Sequence, residues 1–149
     1  MPKVEYTHGK GLFQSSGTGV ELSGGANDDL TLSIKTLQET VATANAATLA
    51  TTGTVPAGAL ILGSQVKIIT ADTDTANATT CTLSGTQDTM NITGALTIDP
   101  SSAGASAKGT LPHDGVNVTS AASTITATFD QTLDGDGSVQ ITVLYLAVA

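Results

Sequence analysis

Apolar side chains recur at every second position in four separate stretches of this chain. Leu30, Leu32 and Ile34 alternate with Thr31, Ser33 and Lys35. Leu60, Leu62, Val66 and Ile68 share one face around Ser64, with Gln65 and Lys67 on the other. Ile125, Ala127 and Phe129 alternate with threonines, and Val139, Ile141, Val143 and Tyr145 line one face of a final stretch. Successive side chains of a strand point to opposite faces, so a period of two specifies half-buried β-strands. The one helix-like window, Glu39–Ala50, is rich in Ala. Its β-branched Thr40, Val41, Thr43 and Thr48 follow no 3.6-residue period, so it reads as two strands about a turn at Asn45.

Turn signals separate these stretches. Pro56 presets its own φ and Gly58 can take a positive one, which places a turn at Val55–Ala59. Gly63 marks a bend in the long strand that follows. Asp72–Asn77 reads as a polar turn, Ala78–Leu83 as a strand, and Ile92, Leu96 and Ile98 as one strand face with a bulge at Gly94. Asp99–Gly109 reads as a long Ser/Ala/Gly loop, Val116 and Val118 as the start of a strand, and Asp130–Gly137 as a turn. About eight to ten short strands between turns predict an all-β fold, a β-sandwich of jelly-roll type. Residues 1–29 differ: two Gly-rich stretches there predict an extended N-terminal arm, anchored by Leu12, Phe13, Val20 and Leu22 with Lys10 beside them. Residues 30–149 form the predicted sandwich.

The last strand is apolar on both faces towards its end, where Leu144, Leu146 and Val148 join the alternate set. A strand apolar on both sides is covered on both sides. The cover is either the chain's own loops or a second subunit. Aromatic residues are only 3% of the chain, so the core must come from Val, Ile, Leu and Ala. Such a core removes less area from water per residue, at roughly 25 cal/mol per Å², and a subunit interface would supplement it. Leu144, Leu146 and Val148 are the candidate oligomer interface.

Five Lys, no Arg and a net charge of −8 make nucleic acid an unsuitable partner, because phosphate and base recognition both draw on basic side chains. The same charge disfavours anionic membranes. Met1–Tyr6 lacks the basic-then-apolar pattern of a signal peptide, and Ala59–Leu62 is far too short to span a bilayer. Synthesis in a cytoplasm, with any export by assembly or lysis, is the expectation.

Several pieces of the chain resemble small virion proteins of tailed bacteriophages. They are Val55-Pro56-Ala57-Gly58-Ala59-Leu60-Ile61-Leu62-Gly63 leading into a long strand, the closing Gly-rich turn Asp134–Ser138 with the apolar strand to Tyr145, and the opening Lys10–Gly17. In scattered pieces the resemblance covers about two thirds of the chain. It implies a β-sandwich that self-associates, with no catalysis and no cofactor. A capsid decoration (cement) protein suits the small size and loose arm. It would be a homotrimer on the capsid surface of the virion, made in the host cytoplasm, with the major capsid protein and its own copies as partners. The alternative is a receptor- or glycan-binding module of a tail or head fibre, although a glycan site wants exposed aromatics and few are present here.

No residue set argues for an enzyme. His8 and His113 lie far apart in sequence, and His113-Asp114 sits in a turn without a nucleophile motif. Cys81, flanked by Thr80 and Thr82, reads as a small buried hydrophobe on a strand. Asp130, Asp134 and Asp136 invite a Ca²⁺ reading, as do Asp72 and Asp74. Their spacing lacks the closing Glu of an EF-hand, and Asp also serves turns by bonding its own backbone. The expectation is no metal. Asn77-Ala78-Thr79, Asn91-Ile92-Thr93 and Asn117-Val118-Thr119 match glycosylation acceptors, a chance outcome in so Thr-rich a chain.

Overall fold

The computed structural model describes residues 4–7, 11–14, 20–23, 29–73, 76–86, 92–109 and 119–148. Contacts divide the chain into two units, residues 1–33 with 148–149 and residues 34–147. In the first, β1 (Val4–Thr7) pairs antiparallel with β2 (Gly11–Gln14). There β3 (Val20–Ser23) pairs with the opening residues of β4 (Asp29–Ala42), from Val20 opposite Leu32 to Ser23 opposite Asp29.

The second unit takes the remainder of β4 and adds β5 (Thr48–Val55), β6 (Leu60–Thr70), β7 (Thr80–Gly85), β8 (Leu96–Thr97), β9 (Ser106–Gly109), β10 (Ser123–Phe129) and β11 (Ser138–Val148). One sheet runs β5-β10-β7-β8 and the other runs β4-β11-β6-β9 in this unit. The pairs β5–β10, β10–β7, β7–β8, β11–β6 and β6–β9 are all antiparallel. All but one of the connections from β4 to β11 cross between the sheets, an order compatible with a jelly roll. The fold is all-β, and no helix occurs among the described residues.

The core fills the space between the sheets, as in any face-to-face packing of two sheets. Leu49, Val55, Leu83, Ile125 and Phe129 enter from one side, and Ile61, Val66, Ile68, Val139, Ile141 and Val143 from the other. The alternation legible in β10 and β11 is therefore the core pattern. The β6 pattern is corrected. Pairing with β11 shifts between Leu144 and Tyr145, so the strand changes its inward parity near Gly63. Ile61 is buried ahead of the shift and Val66 and Ile68 after it, while Leu60 is 39% exposed. On β4 the inward set is Leu37 and Val41, which puts Ile34 on the other face, 68% exposed. The long loop expected at Asp99–Gly109 holds β9, and the strand expected at Ala78–Leu83 is β7 two residues further on. Ile92 and Ile98 are both buried, but only Leu96–Thr97 between them is strand. The strand expected at Val116 and Val118 lies outside the described residues.

Two polar devices close the sandwich. At one edge β5 departs from regular pairing with β10 around Thr51, whose hydroxyl accepts the Ile125 N–H at 2.9 Å. The Glu39 carboxylate of β4 reaches across and accepts the N–H groups of Thr52 and Gly53, each at 3.0 Å, and the Thr52 hydroxyl at 2.9 Å. A Cβ on Gly53 would stand 2.7 Å from Leu37 Cδ1, so glycine permits this approach. At one end of the sandwich Asp72 is 2% exposed. It accepts the Thr43 hydroxyl at 2.6 Å, the Asp134 N–H at 2.8 Å and the Gly135 N–H at 3.0 Å. The Thr43 oxygen in turn accepts the Gly137 N–H at 2.7 Å. Gly135 has φ 94°, the left-handed region in which L side chains are strained.

Candidate functional site

On β11 the buried set Val139, Ile141, Val143 and Tyr145 alternates with Gln140, Thr142 and Leu144, which therefore stand on the outer face of their sheet. Leu144 is 38% exposed and lies opposite Gly63. Leu146 is half-buried and lies opposite Leu60. On β6 Gln65 and Lys67 alternate with buried Val66 and Ile68, and Lys108 of β9 lies opposite Gln65. Gln38 of β4 donates from Nε2 to the Thr142 hydroxyl at 3.2 Å, which places β4's even-numbered residues on this face. The outer face is thus apolar at Leu144 and Leu60, polar at its centre, and basic at Lys67 and Lys108.

A notch of about 300 Å³ opens in this face between Thr142 and Leu144 on β11, Gly63 and Gln65 on β6, and Lys108 on β9. It exists because Gly63 carries no side chain beside Leu144. A Cβ built on Gly63 meets nothing within 4 Å, and its φ is not positive. Neither crowding nor backbone geometry requires glycine there. Gly109 differs: its Cβ would collide with Ser64 and Thr93, so that glycine serves close packing.

The opposite sheet presents a different surface. Thr54, Thr124 and Thr86 form one row across β5, β10 and the end of β7, and Thr48, Thr128 and Thr82 form another. Hydroxyls and methyl groups, without a charge in either row, cover that face.

The loop residues 43–47, 71–73, 76–79, 98–104 and 130–137 gather at the end of the sandwich organised by Asp72. Thr43 N–H bonds Gly137 O, Leu133 N–H bonds Ala46 O, and Asp72 N–H bonds Pro100 O. These loops contain no Lys, whereas Asp99, Asp130, Asp134 and Asp136 among them are exposed. Asp130 accepts the N–H groups of Thr80 and Thr79 at 3.0 and 2.9 Å, and these bonds hold its carboxyl below the usual range. Asp136 is lowered by the hydroxyl and then the N–H of Thr73, with the Asp72 charge opposing. Asp99 is lowered by the hydroxyls of Ser101 and Ser102. Each of these three carboxylates fastens a turn. No group of three or more His, Cys, Asp or Glu able to hold a metal ion occurs among the described residues.

Other residues singled out by sequence fall as follows. Cys81 is buried on β7, and burial, then the Asp130 charge, pushes its thiol up to about 12, far from a reactive thiolate. Leu12 and Phe13 lie in β2, and Val20 and Leu22 in β3. Lys10, His8, His113, Asp114, Asp74, Asn91 and Asn117 lie outside the described residues, as does the Val148 side chain. Sequence reasoning missed the Glu39 bridge and the lysine-rimmed notch. Its signals were Gly63 inside a strand and Lys67 on the polar face.

No protein-family model matches the chain, and no curated protein matches it. Among solved structures it is similar to a chain of the cyanophage Pam1 capsid asymmetric unit. That likeness has 17% identity and a TM-score of 0.49, over 89% of this chain and 96% of that one. It is also similar to a chain of the acidic stable capsid structure of Helicobacter pylori bacteriophage KHP30. There the identity is 11% and the TM-score 0.44, over 78% of this chain and 96% of that one.

Proposed function

We propose that this chain is a capsid decoration protein of a tailed bacteriophage, which binds the outer surface of the head and stabilises it. The observation that carries the reading is the outer face of β11 and β6. Leu144 and Leu60 stand exposed on a sheet whose inner face already holds the core. Contiguous exposed apolar surface marks an interaction site. The resemblance of Val55–Gly63, Asp134–Tyr145 and Lys10–Gly17 to phage virion proteins supplies the setting.

In this reading Leu144, Leu146 and Val148 meet a second copy, and the assembly is a homotrimer. The arm, through Lys10, Leu12, Phe13, Val20 and Leu22, engages the major capsid protein. A Gly-rich segment with a few apolar anchors orders on its partner at an entropic cost. The protein works at the virion surface after synthesis in the host cytoplasm. It uses no catalysis, cofactor, nucleic acid or membrane.

Binding of the purified protein to bare heads, and separately to host cells, tests this. Heads bind and cells do not if the reading is correct; the reverse result favours a receptor-binding module. Deleting residues 1–25 leaves the sandwich folded and abolishes head binding. Normal decoration by the truncated protein refutes the arm.

A further inference from the structure

The notch over Gly63 has a floor that nothing in the fold demands. Glycine within a strand marks a bulge, a bend, or a place where another chain approaches closely. A register shift does occur here, but its φ suits any residue and its missing side chain opens onto empty space. The space is rimmed by Leu144 on one side and Lys108 on the other, with Lys67 on the same face. No carboxylate lines it. This lysine-bearing face belongs to a chain with 13 carboxylates and a net charge of −8.

Resting on the reading that this face joins copies of the chain, we infer that the notch receives the acidic end of a second copy. That end is where exposed Asp99, Asp130, Asp134 and Asp136 gather in loops without a lysine. In its 130–137 loop Gln131 and Thr132 are exposed, uncharged side chains able to enter the notch while the neighbouring carboxylates meet Lys108 and Lys67. A two-fold contact of the face with itself would bring two lysine-bearing faces together, with no carboxylate lining the notch to offset them. Contact between face and end joins two different patches, a heterologous interface, which makes a ring where its rotation closes. A three-fold ring requires an interface of this kind, so charge selects the geometry that a trimer needs.

Sedimentation velocity and light scattering on the full chain test the inference, comparing wild type with Gly63→Leu, Lys108→Glu and the double reversal Asp99→Lys/Asp134→Lys. Wild type is expected to be a cyclic oligomer. Each variant should raise the dissociation constant at least about tenfold, Gly63→Leu by filling the notch and the charge variants because like charges brought together across an interface are strongly unfavourable. Roughly 0.5 M salt should weaken the wild-type oligomer too. Melting temperatures serve as the control: Gly63→Leu should melt no lower than wild type, because its side chain enters open space. An oligomer untouched by Gly63→Leu or Lys108→Glu overturns the notch and leaves self-association standing. A monomeric wild type overturns self-association itself, and the notch with it. If the first two variants dissociate and the aspartate reversal does not, the acidic end is the wrong occupant. If Gly63→Leu stays oligomeric but loses heads, the notch belongs to the capsid and not to a second copy.

Discussion

Replacing Asp72 should unfasten one end of the sandwich. Its carboxylate oxygens accept the Thr43 hydroxyl and the N–H groups of Asp134 and Gly135, in a site 2% exposed. A buried donor left without its acceptor costs about 1–3 kcal/mol. The two amides are only part-buried, so water relieves some of that loss in Asp72→Ala. Taking the lower end for each amide and about 1–2 kcal/mol for the buried hydroxyl gives a loss of about 3–4 kcal/mol. Asp72→Asn keeps one acceptor oxygen and sets an NH₂ against donors, so about 1–2 kcal/mol is expected. Urea unfolding with a constant m-value is the assay. Thr43→Val removes the partner hydroxyl, and the double variant should lose less than the sum of the singles, because both changes break one network. A loss below about 1 kcal/mol for Asp72→Ala, or full additivity with Thr43→Val, would refute the view that this carboxylate holds the 134–137 loop.

Acid should weaken the fold through Glu39, Asp99, Asp130 and Asp136. Each is held below its ordinary value, 4.5 for Glu39 and 3.8 for the aspartates. A carboxyl lowered on folding contributes stability above its unfolded value and loses it as pH falls through the folded one. Urea midpoints should stay level from about pH 7 to 5 and fall below about 4.5, with a smaller fall in Glu39→Gln; a midpoint that rises in acid contradicts the assignment. Cys81 should resist thiol reagents at neutral pH until urea unfolds the chain, since burial keeps its thiol protonated near 12; rapid labelling of the folded protein would place the sulfur at the surface.

The strands were legible where one face is buried and the other wet, as in β10 and β11, because burial imposes the period directly. Reading failed where the backbone breaks that period. The parity change near Gly63 misassigned Leu60 and Leu62, since a bulge leaves every residue β-like and alters only which way it points. Ile34 was misplaced because β4 takes its inward parity from Leu37 and Val41, several residues on. β9 escaped because Ser106–Gly109 carries no apolar alternation and forms by pairing with β6. Of the candidate site, Leu144 and Leu146 were visible as a second apolar face, and Lys67 as a polar one. The notch and the acidic end were not, because they bring together separate stretches of the chain through strand order, which a local pattern does not encode.

The Glu39 bridge bears on how such a protein survives crowding. β5 lies at the margin of its sheet, and Thr48–Val55 holds no charge and four threonines. Bare amides on a marginal, uncharged, β-prone strand are a template on which a stray chain can lay down a further strand, and repetition of that event builds a fibril. Glu39 occupies the Thr52 and Gly53 amides with a carboxylate from the facing sheet, and so sets a negative charge against any incoming strand at the place where it would dock. One side chain thereby lets a threonine-rich sheet be packed at high local density while its contacts stay confined to the faces made for them.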